Sequence, residues 1–229
     1  MFRTPLEASQ RQIPKALCGF TLVELITAIA VLGILTAILI PSLSSVRRRA
    51  ETAECASNMR QLYSAIVQQA QDNGGRFVMA NNNTTGVRWF QGELNRAGKG
   101  KSELSPFAGG GDTLQRLSVC PLNLTDEPVA YPRNDYGYPY VVNYHVLAHS
   151  GADRRTSLYE MEDPSRVVMM TDSNKGPDWG NSGFGESTNP SWSRIAEPHG
   201  GKTNVLWCDG HVTLQPKSEI EENTQLLSD

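Results

Sequence analysis

From Phe20 to Ile40 the chain runs 21 residues with a single ionisable side chain, Glu24. A helix rising ~1.5 Å per residue needs about 20 apolar residues to cross a hydrocarbon core of ~30 Å, so the run predicts a membrane-spanning helix over 20–41. Pro41 closes it, removing a backbone donor and crowding the preceding turn, and a bend or loosening is expected there. Apolar residues then return at three- and four-residue steps or sums of them: Val46, Ala50, Ala53, Met59, Leu62, Ile66 and Ala70, with Arg, Glu, Asn and Gln between. The spacing predicts an amphipathic continuation over 42–74. It stops at Asp72-Asn73-Gly74-Gly75, residues suited to a left-handed cap. One helix over 20–72 is the simplest account, its first half apolar all round and its second half offering one stripe to a domain.

That domain is residues 75–229. Between Gly75 and Tyr131 the breakers Asn81–Gly86 and Ala108–Asp112 leave only short apolar pieces, which predicts loops with one or two short helices and a brief extended piece at Leu117–Pro121. Tyr131 to Tyr144 holds five tyrosines, read as half-buried packing rather than a sugar-binding surface. From Pro164 the pattern turns to strands. Arg166–Thr171 is one, and Asn204–Gln215 is a hairpin about Asp209-Gly210, a pair that favours a two-residue turn. The fold class expected is α+β, a long N-terminal helix whose amphipathic half packs on a small antiparallel β-sheet. The tail after Pro216 reads as frayed or as a short exposed helix.

Charge and cysteine content narrow the chemistry. The 229 residues carry a net charge of −3. Residues 1–19, with Arg3, Arg11 and Lys15 against Glu7, carry +2, which leaves −5 for the remainder. Without a broad basic field no nucleic-acid partner is expected. Cys18 lies before the apolar run, and Cys55, Cys120 and Cys208 lack any CxxC spacing, which argues against a zinc cluster. An oxidising compartment would permit one disulfide, Cys120 with Cys208 or with Cys55. Orientation is not fixed by charge, because basic residues stand on both sides of the run, Arg47 to Arg49 on the far side.

The order of the N-terminal parts is unusual. A polar, net-basic segment ends at Gly19 and the apolar run begins at once, so a cut between Gly19 and Phe20 would discard the leader and keep the helix, the reverse of a secretory signal. Gly19-Phe20-Thr21-Leu22-Val23-Glu24-Leu25-Ile26, closed by Pro41, resembles the N-terminus of type IV prepilins and type II secretion pseudopilins. The resemblance implies a prepilin peptidase that cuts after Gly19 and N-methylates Phe20. It also implies a cytoplasmic leader, a single pass through a bacterial inner membrane, an exported domain with a pilin-like fold, and assembly with other pilin-type subunits. A carboxylate in hydrocarbon costs roughly 2.5–3.5 kcal/mol and demands a partner. For Glu24 that partner is the new Phe20 ammonium, its own or, as the resemblance implies, a neighbour's.

Near the other end stands His199-x9-Asp209-Gly210, a spacing that resembles a C-terminal motif of many bacterial prepilin-type proteins. Its role is open: His199 is expected to fold back on the hairpin and bond Asp209 or a carbonyl. Asp172, Asp178, His199 and Asp209 are the candidate metal ligands, and the oxygens of Asp172–Asp178 suggest calcium, although the loop departs from the EF-hand pattern. The expectation is nonetheless no bound cofactor. No catalytic motif is present, and the chain does not read as an enzyme. The reading is a pilin- or pseudopilin-like structural subunit, leader 1–19, built into a secretion pseudopilus or pilus-like fibre. The competing reading is a membrane-anchored exported protein that binds glycan or metal and uses the prepilin route only for delivery, with His199 and the aromatic loop around Trp192 as its site.

Overall fold

The computed structural model describes residues 20–82, 87–89, 102–123, 140–143, 145–147, 156–173, 183–184 and 195–223. The chain divides into two units, Met1–Val46 and Arg47–Asp229. A single helix, α1 (Leu22–Asp72), runs from the first into the second and continues through Pro41. In the first unit its large apolar residues, from Leu22 to Leu43, are exposed on every side. No stripe singles out one face, which is what a helix shows when lipid or neighbouring helices surround it. Among the described residues it is the one helix long and apolar enough to cross a membrane.

In the second unit α1 becomes one wall of a core. Cys55, Met59, Leu62, Ile66 and Ala70 are fully buried. Val46, Ala50 and Ala53, expected on the same stripe, are exposed, because full burial of the helix begins only at Cys55, with Thr52 half-buried before it. The predicted cap is present. Gly74 and Gly75 take positive φ, and the Gly75 N–H donates to the carbonyl of Ala70 at 2.7 Å, closing the last turn.

Two strands, β1 (Asn81–Asn82) and β2 (Val87–Arg88), form a small ribbon, and α2 (Gly111–Leu117) follows. This helix takes up Leu117, so the extended piece expected at Leu117–Pro121 shrinks to Val119-Cys120 before a 3-10 turn at Pro121–Asn123. The main sheet comprises β3 (Val141–Asn143), β4 (Val168–Thr171), β5 (Gly183–Phe184), β6 (Thr203–Trp207) and β7 (Val212–Gln215) in the order β5-β3-β4-β6-β7. Four strands are antiparallel; the two-residue edge strand β5 joins β3 in parallel.

Period-two alternation assigns the faces. Val142, Met170 and Leu206 share a core with the buried residues of α1, whereas Val141, Val168, Val205 and Trp207 join Ile195 and Ile220 in a second cluster. A register shift between Val168 and Met170 lets Met169 and Met170 both reach the α1 side. Ile220 belongs to α3 (Lys217–Asn223), so the described residues after Pro216 form a short helix that buries Ile220 rather than a wholly exposed one. Glu197 accepts a hydrogen bond from the Lys217 N–H at 2.8 Å, at the start of that helix.

The hairpin β6–β7 sits where expected, but its turn is longer. Trp207 N–H donates to the His211 carbonyl at 3.0 Å and Gly210 N–H to the Trp207 carbonyl at 2.9 Å, leaving a three-residue loop, Cys208-Asp209-Gly210. Only Gly210, at φ +93°, needs the left-handed region, as in the common three-residue hairpin. The Trp207 and His211 rings stack, centroids 5.4 Å apart, and hold the extra pair closed. The loop docks on α1: Tyr63 donates its hydroxyl to the Cys208 carbonyl at 3.0 Å, and a Cβ on Gly210 would overlap the Tyr63 ring. Gly210→Ala therefore meets both positive φ and a clash, and is expected to cost about 1–3 kcal/mol. Denaturant midpoints of the full chain in detergent measure it; adding Tyr63→Ala should restore only the part due to the clash.

Candidate functional site

At the N-terminal end, Phe20 is exposed and Gly19 lies outside the described residues. Glu24 is held locally. Its Oε2 accepts from the Thr21 N–H at 2.9 Å and from the Thr21 hydroxyl at 2.8 Å, while the Glu24 N–H donates to Thr21 Oγ1 at 3.2 Å. This is a capping box, Thr21-x-x-Glu24, which neutralises donors that the first helical turn leaves unpaired. The Thr21-x-x-Glu24 spacing carries this signature in the sequence itself, beside the ammonium partner expected for Glu24. The box survives a cut after Gly19, because the Thr21 N–H belongs to the Phe20–Thr21 peptide. Pro41 lies inside α1, and its side chain is outside the described residues.

The C-terminal motif splits in two. Asp209 stays on the hairpin turn, accepting from the His211 N–H at 3.1 Å and pairing with His211 Nδ1 at 2.5 Å. His199 does not bond it. The turn through Gly200 and Gly201, closed by His199 N–H to the Lys202 carbonyl at 3.1 Å, sends the imidazole inward instead. Asp178 lies outside the described residues, as does Trp192.

His199 meets Asp172, Cys55 and Cys120, with all four ligand atoms within 4.8 Å of one another. Four elements supply them: α1 gives Cys55, the segment after α2 gives Cys120, the end of β4 gives Asp172, and the loop before β6 gives His199. His199 Nε2 lies 3.2 Å from Asp172 Oδ2 and 3.5 Å from Cys120 Sγ, and the Cys55 thiol donates to Asp172 Oδ1 at 3.1 Å. Both cysteines and Asp172 are fully buried, and the His199 side chain is 1% exposed. A shell of polar groups surrounds them. Asn204 N–H and the Thr203 hydroxyl donate to Asp172 Oδ2 at 2.7 and 3.2 Å, and the Tyr140 hydroxyl lies 3.2 Å from Cys55 Sγ. Thr52 gives its hydroxyl proton to the Arg48 carbonyl at 2.8 Å and so accepts from His199 Nδ1–H at 3.0 Å. Nε2 is left to face the other three.

The electrostatics are those of a buried, electron-rich pocket. Burial, then Cys120 and Asp172, push the Cys55 thiol far up; the hydrogen bond from Cys55 draws Cys120 down against its own burial. Burial alone would lower His199, but the Asp172 carboxylate and the Cys120 sulfur carry it up to about 9. Burial also raises Tyr140, keeping it a donor. The remaining thiol, Cys208, is buried away from the group and pushed up by burial and Asp209. All three described cysteines are free thiols, and of the two disulfide pairings expected only Cys55 with Cys120 brings its partners together.

Residues 15–40 match the family model of the prokaryotic N-terminal methylation motif. No curated protein and no solved structure matches the chain. The motif supports a prepilin-peptidase substrate of the pilin or pseudopilin type, and with the apolar helix it fits a single-pass membrane anchor. It ends at residue 40 and does not extend to His199-x9-Asp209-Gly210.

Proposed function

We propose that the chain is a structural subunit of a pilus-like or pseudopilus-like fibre. Prepilin peptidase cuts it between Gly19 and Phe20 and methylates the new amine, the helix from Phe20 to Pro41 holds it in the inner membrane, and the unit that follows is exported. Subunits then leave the bilayer by packing these helices together, which replaces lipid around their apolar faces with one another. The observation that carries this reading is the methylation motif at the head of a helix that is apolar on every side. Within the fibre Glu24 has two tasks: it completes its own helix cap and it meets the Phe20 ammonium of the next subunit. That is a head-to-tail contact, the kind that propagates filaments.

Glu24→Gln separates the tasks, since glutamine keeps the cap geometry and removes the charge. The variant is expected to be cleaved and retained in the membrane at wild-type levels yet absent from sheared fibre fractions. Fibres containing it at normal abundance would show that the charge has no part in assembly.

A further inference from the structure

The buried group of Cys55, Cys120, Asp172 and His199 gathers its ligand atoms within 4.8 Å of one another. His199 Nε2 faces Asp172 Oδ2 at 3.2 Å and the Asn204 amide at 2.8 Å. Two sulfurs, a carboxylate and an imidazole in one dry pocket match what a soft divalent cation takes.

We infer that this group is a structural zinc site with Cys55 Sγ, Cys120 Sγ, one Asp172 carboxylate oxygen and His199 Nε2 as its four ligands. Zinc lies about 2.0–2.3 Å from such donors, which spaces tetrahedral ligands roughly 3.3–3.8 Å apart. His199 Nε2 lies 3.2 Å from Asp172 Oδ2 and 3.5 Å from Cys120 Sγ, Cys55 Sγ lies 3.1 Å from the other Asp172 oxygen, Oδ1, and one ligand atom from each residue falls inside 4.8 Å, which approaches that tetrahedron. The surrounding groups have the arrangement that tunes metal ligands: Thr52 fixes the imidazole so that Nε2 faces inward, Asn204 N–H and Thr203 hold Asp172, and Tyr140 faces the Cys55 sulfur. Four protein ligands and full burial leave no position for substrate, so the ion ties elements together rather than catalysing. It joins α1 to the segments that carry Cys120, Asp172 and His199. Binding is a proton exchange without redox change: zinc enters as the dication, and the protons of Cys55 and of Cys120 or the imidazole leave to solvent. Thiolate and imidazole disfavour calcium, the ion suggested by the Asp172–Asp178 oxygens alone.

The test uses the full chain, purified in detergent without chelators. Elemental analysis is expected to find about one zinc per chain, unmoved by millimolar-scale calcium. Replacing it with cobalt should give the thiolate-to-cobalt charge-transfer band. Cys120→Ser should abolish that band and Cys208→Ser should keep it. Tyr140→Phe, which conserves shape, should weaken zinc binding about 10–100-fold in a chelator competition. Should the cysteine variant fail to fold, alkylation of the wild type decides: Cys55 and Cys120 should react only after chelation. A chain without metal whose Cys55 and Cys120 are joined as a disulfide overturns the proposal, and so does zinc retained by Cys120→Ser.

Discussion

Gly19→Leu is expected to leave the chain in the membrane at its full length, heavier than the wild type by roughly 2 kDa, the share of residues 1–19 in a 229-residue, 25.2 kDa chain. The effect is all-or-none because the peptidase must draw the scissile peptide into its site, and a side chain at the residue before the cut obstructs that approach. Nothing in the anchor changes. The apolar faces from Leu22 to Leu43 remain as they were, so insertion proceeds and only the polar leader persists. Phe20 then has no free amine, so on the proposed head-to-tail contact with Glu24 fibre incorporation should fail as well. Intact-mass measurement reads the first effect and fibre fractionation the second. A wild-type protein whose mass places its terminus beyond Ala30 would mean a conventional signal cleavage near Ala28-Ile29-Ala30, and the helix would not survive into the mature protein.

The two ends of α1 were legible because each rests on local physics. An apolar run sets the first half, three- and four-residue spacing sets the second, and Gly74-Gly75 sets the stop. The hairpin was legible for the same reason, with Asp209-Gly210 marking its turn. The length of that turn was not, because the pairing of Trp207 with His211 and the docking of Tyr63 decide it, and neither is a property of the turn residues. The stripe on α1 was predicted too long at its start, since Val46, Ala50 and Ala53 fit the helical period but only tertiary structure says where cover begins. The buried group was legible in half: Asp172 and His199 stand among the candidate ligands, whereas Asp209 stays on the hairpin and Cys55 and Cys120 take their places beside them. The four come from four elements, and without a CxxC pair no spacing announces the two cysteines. A faint signal existed in Cys55, which stands one helical turn before Met59 on the buried face.

Asp172→Ala is expected to be the most destabilising single change in the second unit, by about 3–5 kcal/mol, the cost of removing one partner from a buried charged pair. Asp172 accepts from Asn204 N–H, the Thr203 hydroxyl and the Cys55 thiol, and faces His199 Nε2, all without solvent. Alanine leaves each of these donors buried without an acceptor, and each such loss costs about 1–3 kcal/mol where neighbours cannot rearrange. Domains of this size hold only about 5–15 kcal/mol in reserve, so the variant sits near the threshold of folding. His199→Ala should cost less, because Asp172 keeps its other donors. Asp209→Ala, at the other half of the same sequence motif, should cost about 1 kcal/mol or less, since its bonds to His211 are made at the surface. Denaturant unfolding of the full chain in detergent, followed by tryptophan fluorescence, to which the buried Trp89 and Trp207 contribute, gives all three midpoints. The predicted order is Asp172 well ahead of His199, and His199 ahead of Asp209. If Asp209→Ala proved as damaging as His199→Ala, the two halves of the motif would act together, contrary to the separate surroundings in which the fold places them.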